Sequence, residues 1–322
     1  MLYFNVVLFL TYYLKLITYN TPSLLYRFFR SFFFGNYFYG LCAVALSVDT
    51  MMRQRLPFNS LAYFVMIFSA TVVYYTYAYT SDSNPNAKNE RSDWYANNKR
   101  FVKHSQVFIG LLFAISFLFY SATECSSFLA KPFLNWLILS IFPLVALLYY
   151  GFQTPMLHKL NLRNTGWLKP FIIAFVWAGV VTFFPLFIQA TSARSNCNLN
   201  RNLLLHFTDN CMFITVLCIM FDIKDYEEDY NRELKTFVVR IGLRKTINYL
   251  LFPLCVLGLG ICLVHSYFQG FALKIMLVNI IPYILMMVVA NSLNERKHIL
   301  YYLAVIDGLM LVKAICGMIG TF

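Results

Sequence analysis

Long apolar runs, each about the length of a membrane crossing, alternate along this chain with short polar connections. Nine such stretches can be marked, at 34–51, 59–79, 107–125, 132–150, 170–190, 203–221, 247–267, 273–291 and 299–318. A helix needs ~20 mostly apolar residues to cross the hydrocarbon core, and it satisfies its own backbone hydrogen bonds there. The runs are continuous, whereas a membrane β-barrel would show ~10-residue alternating segments. The pattern therefore predicts an all-α membrane protein, with nine transmembrane helices forming a single domain over 34–322. Residues 2–18 are also apolar but are interrupted by Asn5 and Lys15, and Arg27 and Arg30 follow. No basic region precedes that run, which argues against a signal peptide. Residues 1–33 read as an interfacial segment with snorkelling cations, a tenth span being the alternative.

Composition sharpens this reading. Of 322 residues 60% are hydrophobic and only 12% charged, with mean hydropathy +0.62, where a soluble domain carries about 25% charged residues. A soluble domain of any size is excluded. The net charge of +12 would suit a nucleic-acid binder, but its distribution says otherwise. Nineteen Lys and Arg fall on the N-terminal side of the nine-span scheme and six on the other. The positive-inside rule then puts the connections at about 80–106 and 222–246 in the cytoplasm, and no nucleic-acid partner is needed. The expected location is a bacterial inner membrane, multi-pass, with the active face cytoplasmic. Six of the eight cysteines lie inside predicted spans as small apolar residues, and Cys125 ends another span. Cys125 and Cys197 fall on one outer side, where a disulfide is open but not established.

The most informative stretch is FDIKDYEEDYNRELKT, 221–236. Asp222, Asp225 and Asp229 are spaced three and four apart, so a helix carries them on one face. Stacked carboxylates repel one another, and a divalent cation relieves the repulsion. An all-oxygen set suits magnesium, which keeps waters and shares its shell with phosphates. Lys235 and Arg240 follow and are suited to holding diphosphate oxygens. The plain alternative is a solvated extension of the sixth helix. Glu227 and Glu228 point off the Asp face and fit that alternative.

Residues 222–242, DIKDYEEDYNRELKTFVVRIG, resemble the second Asp-rich motif of the UbiA superfamily of intramembrane prenyltransferases. There a D-x-x-D-x-x-x-D stretch follows the sixth helix, and a basic residue, a Thr and a Gly closing a short helix come after it. Lys235, Thr236 and Gly242 take those positions. Residues 149–160, YYGFQTPMLHKL, are similar to the family's Tyr…Pro…Lys signature, with Tyr150, Pro155 and Lys159 in place. The resemblance implies a nine-helix UbiA-type bundle with a central cavity opening to the cytoplasmic side. It implies Mg2+ held by Asp222, Asp225 and Asp229, the catalytic residues, and by Asp82 across the cavity mouth. It also implies transfer of an isoprenyl group from an isoprenyl diphosphate donor to a hydrophobic or aromatic acceptor among membrane lipid. Lys159, Lys235, Arg240, Tyr150, Lys99, Arg100 and Asp307 are the expected substrate-binding residues. Aromatic side chains would face the allylic cation.

One departure stands out. The family's first motif, N-D-x-x-D after the second helix, is degenerate here, and Asp82 is the only acid between Asp49 and Glu90. A UbiA-like protein without the usual chemistry, such as a terpene cyclase-like enzyme or a scaffold, is the alternative. A proton- or ion-coupled transporter using His206, Asp209 and Asp307 is a further one. In that reading ionisable groups would line a midplane site, whereas most carboxylates here concentrate at one surface. Asp209 and Asp307 otherwise read as interhelical contacts, and Asp49 as a helix-end partner for Arg53.

Overall fold

In the computed structural model the described residues are 24–81, 90–129, 133–150, 165–188, 200–231, 234–295 and 297–321. Among them every regular element is helical. In chain order these are α1 (Leu24–Phe34), α2 (Tyr37–Arg53), α3 (Leu61–Ser81), α4 (Glu90–Asn97), α5 (Lys99–Leu129), α6 (Phe133–Tyr150), α7 (Lys169–Phe187) and α8 (Arg201–Lys224). They continue with α9 (Tyr226–Asn231), α10 (Phe237–Ile241), α11 (Leu243–Phe268), α12 (Leu273–Ser292) and α13 (Ile299–Ile319).

Each predicted apolar stretch carries a helix, though not all nine are long enough by themselves to cross a membrane. Six described helices are long and apolar enough to cross a membrane, or seven if the bent pair α1–α2 forms one span. The apolar parts Leu61–Tyr77 of α3 and Phe133–Tyr149 of α6 are shorter. A 65° bend separates α1 from α2 between Phe34 and Tyr37. Asn36 makes that bend with φ 66°, a left-handed conformation that asparagine tolerates better than most side chains.

Local signals explain several helix ends. Asn200 caps α8 by accepting from the Leu203 N–H at 2.7 Å. Pro170 sits in the first turn of α7, where its missing N–H costs nothing. Gly242, with φ 83°, closes the short helix α10 as the sequence suggested. Small residues let helices approach. A Cβ on Gly179 would lie 2.0 Å from the Phe142 ring, in a seam where Phe142 stacks on Phe183 and Phe207 packs tilted against both, between α6, α7 and α8. The outward faces stay apolar: Phe108, Leu111, Ile115 and Leu118 of α5 are exposed at helical spacing, as a lipid-facing side requires.

The basic connections meet at one end of the bundle. Glu90 pairs with Arg30 at 3.2 Å and His298 at 3.0 Å. Phe34, Trp94, Val102, Leu300 and Leu303 form a small core there. Gly166 packs so closely on the Lys235–Thr236 backbone that a Cβ would come within 2.8 Å of it. Loops that the charge count assigned to one side thus lie together.

Candidate functional site

The acidic motif sits at this end. α8 runs through Asp222 to Lys224, pauses at Asp225 (φ −89°, ψ 7°) and resumes as α9. The Asp229 N–H donates to the Asp225 carbonyl at 2.8 Å, so the helical path carries on across the pause. The residues' environments differ. The Asp222 side chain is 1% exposed and the Asp225 side chain 27%, while Asp229 is buried and Glu227 exposed. Asp222 Oδ1 accepts from Lys169 Nζ at 2.9 Å, and Lys224 Nζ lies 3.0 Å from Asp225 Oδ1. The Lys169 ammonium also acts electrostatically on Asp225, Asp229 and Tyr149.

Lys169 is the partner of the acidic motif that the sequence reading missed. It lies 53 positions from its partner, so no local spacing reveals it. The turn at 166–168 and Pro170 set the start of α7, and α7 packs along α8. This delivers the lysine to the acidic motif. An all-oxygen carboxylate set fits a hard divalent ion. Residue by residue, Asp225 keeps 27% of its side chain exposed while Asp222 and Asp229 are enclosed, and Asp222 and Asp225 are each paired with a lysine.

The remaining expected residues divide. Lys99, Arg100, Lys235 and Arg240 are exposed and stand outside these ion pairs. Asp82 and Lys159 lie outside the described residues, as does Cys197. The Tyr150 and Cys125 side chains are likewise not described, and Tyr149 is the tyrosine in reach of Lys169. Asp307 is buried in α13, just after a π-helical stretch, Tyr302–Ile306, a helix irregularity common at functional sites. Tyr39, Arg91 and Lys224 lie within electrostatic reach of Asp307. Asp307 Oδ2 is buried with no hydrogen-bond partner. The Tyr39 ring stacks on Tyr75 at 4.7 Å, with Trp177 6.4 Å away. Arg91, also missed from sequence, pins α4 to the bundle. It donates to the Phe34 carbonyl at 3.0 Å and to the Tyr79 hydroxyl at 2.9 Å, bonds Asn36 Oδ1, and lies 4.1 Å from the Tyr79 ring centre.

A second polar cluster lies deep inside the bundle. Asp209 accepts from the Lys313 ammonium and the Tyr283 hydroxyl. Asp49 pairs with Arg53 at 2.7 Å, and Arg53 donates to Asn279 at 2.8 Å. His206 lies 3.0 Å from the Thr50 hydroxyl. The Asp209 contact is interhelical, as expected; the Asp49–Arg53 pair closes the last turn of α2, also as expected, and is buried. His206, Asp209 and His265 each bring a ligand atom within 4.8 Å of the others, a group able to hold a metal ion. Among the described residues it is the one such trio; the three aspartates of the motif are not gathered to that degree.

No known family model matches this chain, and no curated protein matches it in sequence. Solved structures share its fold. One is an apo UbiA homolog from Aeropyrum pernix K1, 14% identical, with a TM-score of 0.58 over 88% of this chain and 96% of that one. Another comes from work on digeranylgeranylglyceryl phosphate synthase in membranes, also 14% identical, with a TM-score of 0.50 over 87% and 93%. The likeness establishes the fold: a multi-pass helical bundle of the UbiA type.

Proposed function

We propose that this chain transfers an isoprenyl group from an isoprenyl diphosphate to a hydrophobic or aromatic acceptor within the membrane, at its cytoplasmic face. One observation carries the reading. At one end of a UbiA-like bundle, Asp222 is bonded to Lys169 and Asp225 is paired with Lys224, and Asp225 and Asp229 lie within electrostatic reach of Lys169. In this reading the diphosphate lies against the lysines and the isoprenyl tail runs into the apolar interior. As the allylic C–O bond breaks, its electron pair goes to the diphosphate oxygen, and the fixed positive charges stabilise that leaving group. Magnesium, held by Asp225 and Asp229, would supply further neutralisation of the diphosphate. Tyr39, Tyr75 and Trp177 offer ring faces to the allylic cation. The acceptor's nucleophilic atom bonds to the allylic carbon and loses a proton, for which Asp307 is the nearby buried base.

The test is release of pyrophosphate from geranylgeranyl diphosphate by the purified chain supplied with membrane lipid extract and magnesium. Asp225→Asn combined with Asp229→Asn should lower the rate by roughly 100-fold or more, the scale of lost electrostatic stabilisation. Equal release by wild type and this variant would contradict the proposal.

A further inference from the structure

Two imidazoles and a carboxylate meet between α8 and α11, away from the acidic motif. Asp209 precedes Asp222 on α8 by roughly 20 Å of helix rise. His206 and Asp209 share one face of α8 at i,i+3 spacing, and His265 faces them from α11. Each brings a ligand atom within 4.8 Å of the others, and the two ring centroids are 5.3 Å apart. All three side chains are buried. Both rings lie within two helical turns of the ends of α8 and α11 opposite the acidic motif.

Buried polar atoms are rarely left unpaired, yet Nδ1 of His206 and Nδ1 of His265 are both buried without a hydrogen-bond partner. The bonds at the far side of each ring account for this. The Thr50 hydroxyl has one proton to give, and it goes to a backbone carbonyl, Val181 at 2.8 Å or Leu46 at 3.0 Å. Toward His206 Nε2, 3.0 Å away, Thr50 can then only accept. The ring proton therefore sits on Nε2, and the Nδ1 lone pair is free. Asn210 is 3.3 Å from the same nitrogen and has an unpartnered Oδ1; a half-turn of its amide makes it a second acceptor. His265 Nε2 lies 3.3 Å from the Gln269 amide, which accepts in the same way with its oxygen turned inward. A metal-ligating histidine is held by such a bond at its other nitrogen. Asp209 is oriented by Tyr283 on one oxygen and Lys313 on the other, and each carboxylate oxygen keeps a further lone pair.

We infer that His206, Asp209 and His265 form a binding site for a divalent transition metal of the zinc class, separate from any magnesium at the acidic motif. Two imidazoles and one carboxylate are ligands that suit zinc and its first-row neighbours, whereas magnesium takes oxygen alone. Three protein ligands leave one position of a four-coordinate ion for water or a small ligand. The ion ties α8 to α11 and shares Asp209 with Lys313. The Lys313 ammonium is the charge that opposes it, so removing that charge strengthens the site. The assignment does not depend on the prenyl-transfer reading.

The experiment titrates Co2+ into the full chain in lipid nanodiscs after metal stripping, follows the visible absorption of four- or five-coordinate Co2+, and adds Zn2+ or Mg2+ as competitor. Wild type should bind a single Co2+ with these bands, which Zn2+ abolishes and excess Mg2+ does not. His206→Gln and His265→Gln should each weaken Co2+ by ~100-fold or more, at least the upper end of what losing an outer partner costs. Thr50→Val keeps all three ligands and removes only an outer bond; it should weaken Co2+ by ~10-fold, and it carries the test if a histidine variant does not fold. Lys313→Met should tighten Co2+ by ~10-fold or more, because a like charge leaves the low-dielectric interior. Asp225→Asn with Asp229→Asn should leave the affinity within roughly twofold, since those carboxylates lie about 20 Å or more along the helical path. The inference is overturned if the bands are absent, if Mg2+ competes as well as Zn2+, if the histidine variants bind like wild type, or if Lys313→Met binds more weakly. Loss of Co2+ in the Asp225→Asn, Asp229→Asn variant alone would place the metal at the acidic motif and overturn it equally.

Discussion

Replacing Lys313 by methionine removes one charge from a pair sealed inside the bundle. The Lys313 side chain is 4% exposed and that of Asp209 1%. Methionine keeps the length and apolar stem of lysine, so packing is nearly conserved, and the loss is electrostatic. Asp209 would retain the Tyr283 hydroxyl, which offers a hydrogen bond but no positive charge. Arg53 is within electrostatic reach of Asp209 but is committed to Asp49 and Asn279, at 2.7 and 2.8 Å. A buried carboxylate stripped of its partner in this way costs about 3–5 kcal/mol. The assay is unfolding of the purified protein in mixed micelles titrated with a denaturing detergent. Lys313→Met should lose about that much, and adding Asp209→Asn should restore stability to within roughly 1 kcal/mol of wild type, since no unpaired charge then remains. A single variant within about 1 kcal/mol of wild type, or a double variant no better than the single, would refute the view that this pair joins α8 to α13.

Two further changes probe the frame around the sites. Arg91→Gln gives up a buried guanidinium's bonds to Phe34, Asn36 and Tyr79, so stability should fall by about 2–4 kcal/mol, and amide exchange over Glu90–Asn97 should speed up selectively. Unchanged exchange there would show that α4 is held by its aromatic contacts instead. Gly317→Ala would put a Cβ 1.9 Å from Asp49 Oδ1 and 2.6 Å from Arg53 Nη2. It should cost about 1–3 kcal/mol by overpacking in the same detergent titration, and a neutral result would mean that the ion pair yields freely.

How much of this was legible in the sequence depends on the distance over which each feature is encoded. Helix placement is local: the apolar runs and the Gly242 terminator are visible in a window of a few residues. So is the spacing of Asp222, Asp225 and Asp229. The span count was less secure, because hydropathy marks an apolar stretch but not how much of it remains straight, as the bend at Asn36 shows. The charge partners were largely hidden. Asp49–Arg53 is an i,i+4 pair and could be anticipated. Lys169–Asp222 and Lys313–Asp209 are separated by 53 and 104 positions, and only the packing of α7 and α13 against α8 brings them together. Lys169 counted toward loop charge and Lys313 was simply a cation within a span, so neither carried a sign of its partner. Arg91 was likewise one of several loop cations until the left-handed Asn36 turned its side chain toward it.

The central claim is that this bundle binds an isoprenyl diphosphate through its acidic motif. Its most direct test is the thermal stability of the purified chain in nanodiscs with geranylgeranyl diphosphate, with magnesium, with both, and with an uncharged isoprenyl alcohol of the same length. A ligand that binds only the folded state at about 100 times its dissociation constant adds ~2.7 kcal/mol of stability. The account predicts stabilisation by the diphosphate, more with magnesium present, little from the alcohol, and loss of the magnesium increment in the Asp225→Asn, Asp229→Asn variant. Equal stabilisation by the alcohol and the diphosphate, unaffected by that variant, would show a lipid-binding cavity that does not read the diphosphate and would contradict the account.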